Sequence, residues 1–308
     1  MKVVVTGGSG FIGRTIVRHL SGQHEVTVID VNEPGFAVNF MKQDLRQPFA
    51  LPEDTEVCVQ LASIVGGIQY FTSHAAQNVR DNSLIYSNVF EAARAADVRK
   101  VVYASSSVVY QFARTFPTPE DEIARIPPPA STYGFTKLLG EYFCKAYAKD
   151  YGIKYTVVRP FNAYGPGEDP DPAYAHVIPH LAKKVLDGQY PVEVYGDGNQ
   201  TRCFTFVEDI AEAFAMCLDN PRSDNETFNV SSDEEVTIKT LLAKIWKILR
   251  GSKPLRVKNL PSFPEDVQKR NPSIRHIKSQ LGWSPSTSLN EGLKVTLEWL
   301  MERTTALL

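Results

Sequence analysis

The stretch Thr6-Gly7-Gly8-Ser9-Gly10-Phe11-Ile12-Gly13 decides the fold. It follows Val3-Val4-Val5, a β-branched run that reads as a buried strand, and opens onto Phe11 to Leu20, where apolar residues recur at helical spacing. Glycines at Gly7, Gly10 and Gly13 permit a tight turn and let backbone N–H groups reach a pyrophosphate at the positive end of the helix. Val26-Thr27-Val28-Ile29 then supplies a second strand, so the first thirty residues form one βαβ unit. Asp30 closes that strand twenty residues after Gly10, where a carboxylate accepts hydrogen bonds from adenosine ribose hydroxyls and repels a 2′-phosphate. The loop therefore predicts NAD in preference to NADP. Asp44-Leu45 follows the next short segment, and Asp44 either reaches the adenine amino group or caps its own loop.

The alternation continues outward. Strands are expected at Val57 to Leu61, Val101 to Ser105 and Tyr155 to Arg159, with helices at about Ser83 to Ala96 and Gly134 to Asp150. This pattern predicts a doubly wound parallel α/β sheet, the Rossmann arrangement, with helices on both faces. From about Gly165 prolines such as Pro166, Pro179 and Pro191 break the chain into shorter pieces, and helical stretches at about Ile238 to Leu249 and Leu289 to Met301 flank a Pro-rich segment. The expected organisation is a dinucleotide-binding domain over 1–165, with later returns at about 196–230, and a smaller α/β substrate lobe over most of 166–308.

Composition narrows the function classes. With 308 residues and 43% hydrophobic content the chain has ample material for a core. Its 33 Lys+Arg balance 35 Asp+Glu, which gives no broad electrostatic reason to bind nucleic acid or an acidic membrane. Cys58, Cys144, Cys203 and Cys217 form no Cys-x-x-Cys pair, so core thiols are expected and no metal site. The glycine loop begins directly after Met1-Lys2-Val3-Val4-Val5, and no 18-residue apolar run is present. A cytoplasmic protein is expected.

Ser131-Thr132-Tyr133-Gly134-Phe135-Thr136-Lys137 puts Tyr133 and Lys137 at i and i+4, on one helix face. An ammonium beside a phenol favours the phenolate and equips it as a general base. Tyr-x-x-x-Lys alone is a weak pattern; it gains weight after a strand that ends in Tyr103-Ala104-Ser105-Ser106-Ser107-Val108-Val109-Tyr110. With the glycine loop, Gln60-Leu61-Ala62-Ser63, Asn82, Arg159-Pro160-Phe161-Asn162-Ala163-Tyr164-Gly165-Pro166 and Gly196-Asp197-Gly198-Asn199-Gln200-Thr201-Arg202, the whole chain resembles the extended short-chain dehydrogenase/reductases, the nucleotide-sugar epimerases and dehydratases.

That resemblance implies roles. Tyr133 would remove a sugar hydroxyl proton while NAD takes hydride from the same carbon, Lys137 would support the tyrosine and Ser106 would share the hydroxyl's hydrogen bond. Cofactor contacts would fall on Gly7, Gly10, Phe11, Ile12, Gly13, Asp30, Asp44, Leu45, Leu61, Ala62, Tyr133, Lys137 and Pro160. Asn162 and the backbone around His176-Val177-Ile178-Pro179 would approach the nucleotide diphosphate, and Arg202 would pair with its oxygens. Glu265-Asp266-Val267-Gln268-Lys269-Arg270 resembles the segment whose arginine also meets the diphosphate, which makes Arg270 a candidate with Lys269 as its rival. His176 is either a phosphate or base contact or an ordinary loop histidine, and Arg202 alternatively an exposed strand charge.

The turn after Ser106 separates reactions within that family. Its 4,6-dehydratases carry Thr-Asp-Glu there, whereas this chain has Ser106-Ser107-Val108, with no acid to eliminate water. The GDP-sugar 3,5-epimerases and fucose synthases resemble the chain in Leu61-Ala62-Ser63-Ile64-Val65-Gly66-Gly67-Ile68 and His176-Val177-Ile178-Pro179, but their catalytic cysteine falls at Val108. The expectation is 4-epimerisation of a UDP-hexose through a transient 4-keto sugar. A 4-dehydrogenase or ketoreductase, a GDP-linked substrate and a non-catalytic NAD-sensing regulator are the alternatives. The resemblance also implies a homodimer through the helices about Ser83 to Ala96 and Gly134 to Asp150, with Val89, Phe90, Leu138, Leu139, Phe143 and Tyr147 as apolar candidates.

Overall fold

Seven short strands, nearly all apolar on both sides, assemble into one parallel sheet. The fold is described from a computed structural model, for residues 1–66, 74–169, 171, 176–262 and 267–306, with residues 304–306 described by backbone alone. Gly67-Ile68 and Glu265-Asp266, which belong to two of the segments compared above, lie outside the described residues. The strands are β1 (Lys2–Thr6), β2 (Glu25–Asp30), β3 (Asn39–Lys42), β4 (Val57–Gln60), β5 (Lys100–Ala104), β6 (Lys154–Pro160) and, later in the chain, β11 (Glu226–Val230). Their order is β11-β6-β5-β4-β1-β2-β3, all neighbours parallel. Val3, Val5, Val57, Val59, Val102 and Val158 are buried, as a sheet covered on both faces requires.

Helices α1 (Phe11–Ser21), α2 (Ala75–Ala95) and α3 (Thr132–Tyr151) make the crossovers. α1 buries Ile16, Val17 and Leu20 on one face. α2 and α3 pack against each other, with Phe90 against Phe143 and Tyr147. α2 starts at Ala75, eight residues before the expected Ser83. Its first turns, Gln77-Asn78-Val79-Arg80-Asp81-Asn82, hide their role behind polar side chains: Asn78, Asp81 and Asn82 are buried because they bond elsewhere. Asn82 Oδ1 accepts from Ile64 N at 2.7 Å, and its Nδ2 donates to Ile64 O at 3.2 Å. β3 was not foreseen as a strand, being half-exposed at the sheet edge.

The second half of the chain adds β7 (Ala163–Tyr164), α4 (Val177–Leu186), β8 (Val192–Tyr195), β9 (Thr201–Cys203), β10 (Thr205–Phe206), α5 (Val207–Met216), β12 (Glu235–Thr237), α6 (Ile238–Arg250), β13 (Val257–Leu260), β14 (Lys269–Arg270), α7 (Arg275–Leu281) and α8 (Leu289–Ala306). A second hydrophobic cluster gathers Ile178 and Leu181 of α4, Leu241 and Ile245 of α6, and Leu293 and Leu297 of α8. The chain was expected to return to the dinucleotide-binding domain at about 196–230. Within those residues Gly196 and Gly198, at φ +70° and +74°, first turn it into β9, which joins a three-stranded sheet with β12 and β14. The return is made by α5, whose Ile210 and Phe214 join the core of the large sheet with α1, and by β11 beside β6.

Gly140 shows how closely α3 rides on the sheet: a Cβ there would stand 2.1 Å from the Tyr103 hydroxyl oxygen. That hydroxyl donates to Lys137 O at 3.1 Å inside the core. Gly140→Ala gains about 1 kcal/mol of helix propensity but overpacks a rigid buried ring, which costs ~1–3 kcal/mol and more when the contact cannot relax. The expected result is a net loss of about 2 kcal/mol, read as a lower urea midpoint at unchanged slope.

Candidate active site

The turn between β1 and α1 has no room for a side chain at Gly7 or at Gly13, where α1 has begun. Gly7 sits at φ +72°, and a Cβ on it would lie 2.7 Å from Ala62 N. A Cβ on Gly13 would lie 2.2 Å from Gly7 O. α1 begins at Gly10 without a side-chain cap and with no acidic residue in its first turn, so its N–H groups and dipole are left to an anion. Asp30 accepts from Ser9 N at 3.1 Å and Asn32 N at 3.0 Å, which fixes its carboxylate beside the loop. Leu61 N donates to Thr6 O at 3.1 Å, so Leu61 and Ala62 wall the same turn. A cradle of this kind, with a carboxylate at the ribose end, fits NAD.

Asp44 takes the loop-capping role. Its Oδ1 accepts from Arg46 N at 3.0 Å and its Oδ2 from Arg46 Nη2 at 2.7 Å, while Arg46 Nη1 also reaches the buried Asp81 at 3.3 Å. The hydrogen bonds from Arg46 hold the Asp44 carboxyl below its usual range. Leu45 is a core residue at 5% exposure, so only its backbone is open to a ligand.

α3 carries the candidate proton-transfer groups. Ser131 caps it by accepting from Gly134 N at 3.1 Å. Tyr133 stands beside the Ser106 hydroxyl, which accepts from Val108 N at 3.3 Å at the start of a 3-10 turn over Ser107–Tyr110. Lys137 donates from Nζ to Ala104 O at 2.9 Å and lies 5.8 Å from the Tyr133 ring centre. Burial pushes the Lys137 ammonium down to about 7. Burial also pushes the Tyr133 phenol up, Tyr86 adds to that rise, and only the Ser106 hydrogen bond opposes it. Burial thus favours the neutral form of both groups.

Below them lies a buried polar network that the sequence reading did not single out. Glu141 receives Arg159 Nη2 at 2.7 Å, Arg159 Nε at 2.8 Å and Ser105 Oγ at 2.5 Å. Arg159 also donates to the Tyr110 hydroxyl and to Glu120 O, and Tyr110 donates to Asn229 Oδ1 at 2.8 Å. Two signals were present: Glu141 continues the Tyr133/Lys137 series by another four residues, and Arg159 interrupts an apolar strand, which demands a partner. Pro160 follows in β6, opposite Val230.

On the substrate side the structure brings Arg202 and Arg270 together. They are register partners on β9 and β14 and so project to one face. Lys269, the rival candidate, faces the other way, 3.4 Å from Glu235 and over the Phe116 ring. His176 Nδ1 is 2.5 Å from Glu168 Oε1, a buried carboxylate that the sequence reading missed. Desolvation opposes the His176 imidazolium, Glu168 favours it and Arg270 opposes it, with the balance above the ordinary histidine value. Arg270 is thus within electrostatic reach of His176. Asn162, at φ +39°, donates to Cys203 O at 2.7 Å, and Val177 packs on the second core. The four cysteines are buried and unpaired, and among the described residues no group of three His, Cys, Asp or Glu is placed to hold a metal. No described helix is long and apolar enough to cross a membrane.

The ribose-end geometry makes cofactor choice testable. Calorimetric titration should show NAD bound at least tenfold more tightly than NADP, since a 2′-phosphate would meet the Asp30 carboxylate. Asp30→Ala should weaken NAD and narrow that ratio; equal affinities in the wild-type protein would contradict this role of Asp30.

Comparison with known proteins agrees with this geometry. Residues 3–231 match the model of the NAD dependent epimerase/dehydratase family. The chain is 32% identical to GDP-mannose 3,5-epimerase of Arabidopsis thaliana, over 98% of its own length and 83% of the relative's. It is also 32% identical to a putative UDP-glucose 4-epimerase of Methanocaldococcus jannaschii, over 97% and 98% of the two chains. Among solved structures, UDP-glucose 4-epimerase of Thermotoga maritima with UDP-glucose superposes with a TM-score of 0.87 at 29% identity, covering 99% and 100%. On sequence and fold alike, this chain belongs to the NAD-dependent epimerase/dehydratase family.

Proposed function

We propose that the protein inverts C4 of a UDP-hexose. The observation that carries this reading is a complete Ser106–Tyr133–Lys137 set beside a turn with no further acid or base, where Val108 is apolar and half-buried. NAD, when bound in the cradle of Gly7, Gly10, Gly13 and Asp30, would supply a reversible hydride acceptor for the sugar carbon. Tyr133 takes the C4 hydroxyl proton and gives it back. Ser106 holds that hydroxyl in line with the phenol. Lys137, anchored on Ala104 O, keeps a polar group beneath the ring in an otherwise apolar setting. Arg202 and Arg270 grip the diphosphate, so the sugar can present either face while the nucleotide stays in place. A second reading, oxidation at C4 of a GDP-linked sugar, is favoured by the likeness to GDP-mannose 3,5-epimerase.

We also propose a homodimer through α2 and α3. Phe135 and Tyr142 on α3 and Leu84 on α2 are large apolar residues left 43%, 62% and 42% exposed, with half-buried Leu139 between the first two. Val89 and Phe90, candidates for that interface in the sequence, cover the sheet instead. Light scattering at micromolar concentration should give the mass of two chains, and a monomer would refute the dimer.

A panel of UDP-, GDP- and dTDP-hexoses with product analysis tests the reaction. From one C4 epimer of a UDP-hexose the other should accumulate without net NADH, and deuterium at C4 should be retained. Stoichiometric NADH would make the reaction a dehydrogenation, and turnover confined to GDP-sugars would select the second reading. Tyr133→Phe should lower kcat by on the order of 10²–10⁴ with substrate binding nearly unchanged. Full turnover in that variant would refute the assignment of Tyr133.

A further inference from the structure

Tyr133, Lys137 and Glu141 stand at i, i+4 and i+8 of α3, one above another on a single face. All three meet the end of β5 and the residues just beyond it: Lys137 Nζ donates to Ala104 O at 2.9 Å, Glu141 Oε1 accepts from Ser105 Oγ at 2.5 Å, and Tyr133 stands beside the Ser106 hydroxyl. Ser105 is where the sheet stops holding the chain. Its N–H makes the final ladder contact, to Val158 O at 2.8 Å, and the chain then turns into the 3-10 helix of Ser107–Tyr110. Such a turn has weaker hydrogen-bond geometry than a strand or an α-helix, and it does not by itself fix where Ser106 stands. Glu141 is a rigid anchor by comparison. It is 1% exposed and held at two points by Arg159, itself 1% exposed and tied to Tyr110 and Glu120 O.

We infer that Ser105, tethered to Glu141, is a positioning residue for proton transfer, fixing the strand end so that the Ser106 hydroxyl meets the Tyr133 phenol. This rests on the reading of Tyr133 and Ser106 given above. Ser105 touches neither group; it acts through the backbone that joins it to Ser106. The competing explanation is that its hydroxyl merely finds a buried acceptor. The two differ in what they move: a tether sets the alignment of a hydrogen bond that stabilises the developing phenolate, whereas a simple buried bond sets only stability.

Ser105→Ala is the discriminating variant, because Glu141 keeps both bonds to Arg159 and no buried charge is orphaned. The assay uses the nucleotide sugar that the wild-type protein turns over in the panel above. The expected result is a kcat about tenfold lower, the scale of one weakened hydrogen bond to the reacting phenol. KM should stay within about twofold, the melting temperature within a few degrees, and the basic group in the kcat–pH profile should move to higher pH as the phenolate loses support. Ser105→Cys, which keeps the volume with a poorer donor, should fall between the two and serves as the test if the alanine variant does not fold. A wild-type kcat and pH profile in either variant would overturn the inference, as would kcat and melting temperature falling together with the profile unmoved. Tyr133→Phe measured in parallel separates this from the underlying reading: full turnover there removes Tyr133 as the base, whereas its loss beside an unaffected Ser105→Ala removes only the role of Ser105.

Discussion

The constraint on which the rest of the structure depends is a close approach of backbones with nothing between them. Gly7 lies against Ala62, and Gly13 lies against Gly7 O, at separations no Cβ would survive. Because α1 enters this near to β1 and β4, its N-terminus opens at the ends of the strands instead of being covered by its own loop. The uncapped first turn is a local cost to the helix, offset by a ligand or by water. A turn with side chains would move α1 outward, and the Ile16, Val17 and Leu20 face would lose its fit on the sheet. Core packing and the opening at the helix N-terminus are therefore set by the same two glycines.

A second constraint is electrostatic. The sheet interior contains charges that have no business in an apolar layer unless each is matched. Arg159 and Glu141 are a pair at the far side of β5 and β6, and Lys100 donates to Asp224 and Ser223 at the opposite end of β5. Buried pairs add little net stability, but removal of one partner costs about 3–5 kcal/mol by stranding the other charge. Their effect is on uniqueness of placement. Strand β5, which carries the candidate site, is gripped by charged groups at both ends, so its register against α3 is fixed more closely than Val101 and Val102 alone would fix it.

Much of this was legible in the sequence where a backbone requirement or a hydrophobic period left a mark. The glycine spacing, the β-branched runs and the four-residue step from Tyr133 to Lys137 each correspond to an element or a face in the structure. What stayed hidden was polar and buried. The first turns of α2 fell outside the expected helix because Asn78, Asp81 and Asn82 give no apolar period, yet Asn78 and Asn82 are bonded to the loop at Ser63-Ile64 and Asp81 to Arg46 and Arg80. The three-stranded sheet that β9 enters was not foreseen, because the two glycine turns around Asp197 divert the chain by torsion, which periodicity does not record. Lys269 and Arg270 were indistinguishable by type and spacing; strand alternation and the Glu235 partner separate them.

Overall likeness does not choose the reaction. Identity to a GDP-mannose 3,5-epimerase and to UDP-sugar 4-epimerases is about the same, near 30% along the whole chain. The shared fold supplies the oxidising site, and the chemistry that follows is set by what the turn after Ser106 presents to the neighbouring sugar carbons. Proton abstraction beside a new carbonyl needs a base within hydrogen-bond reach, and elimination needs an acid as well. Here the turn offers Ser107, which is buried, and Val108, whose backbone N–H is spent on Ser106 Oγ. Tyr110, the next polar side chain, is buried and donates its proton to Asn229 while receiving Arg159. Among the described residues of this turn, Ser107 to Tyr110, no side chain is free to take a second proton from a keto sugar. On the reading proposed above, hydride would return to the carbon from which it came, and its face would be set by rotation of the sugar about a diphosphate held by Arg202 and Arg270.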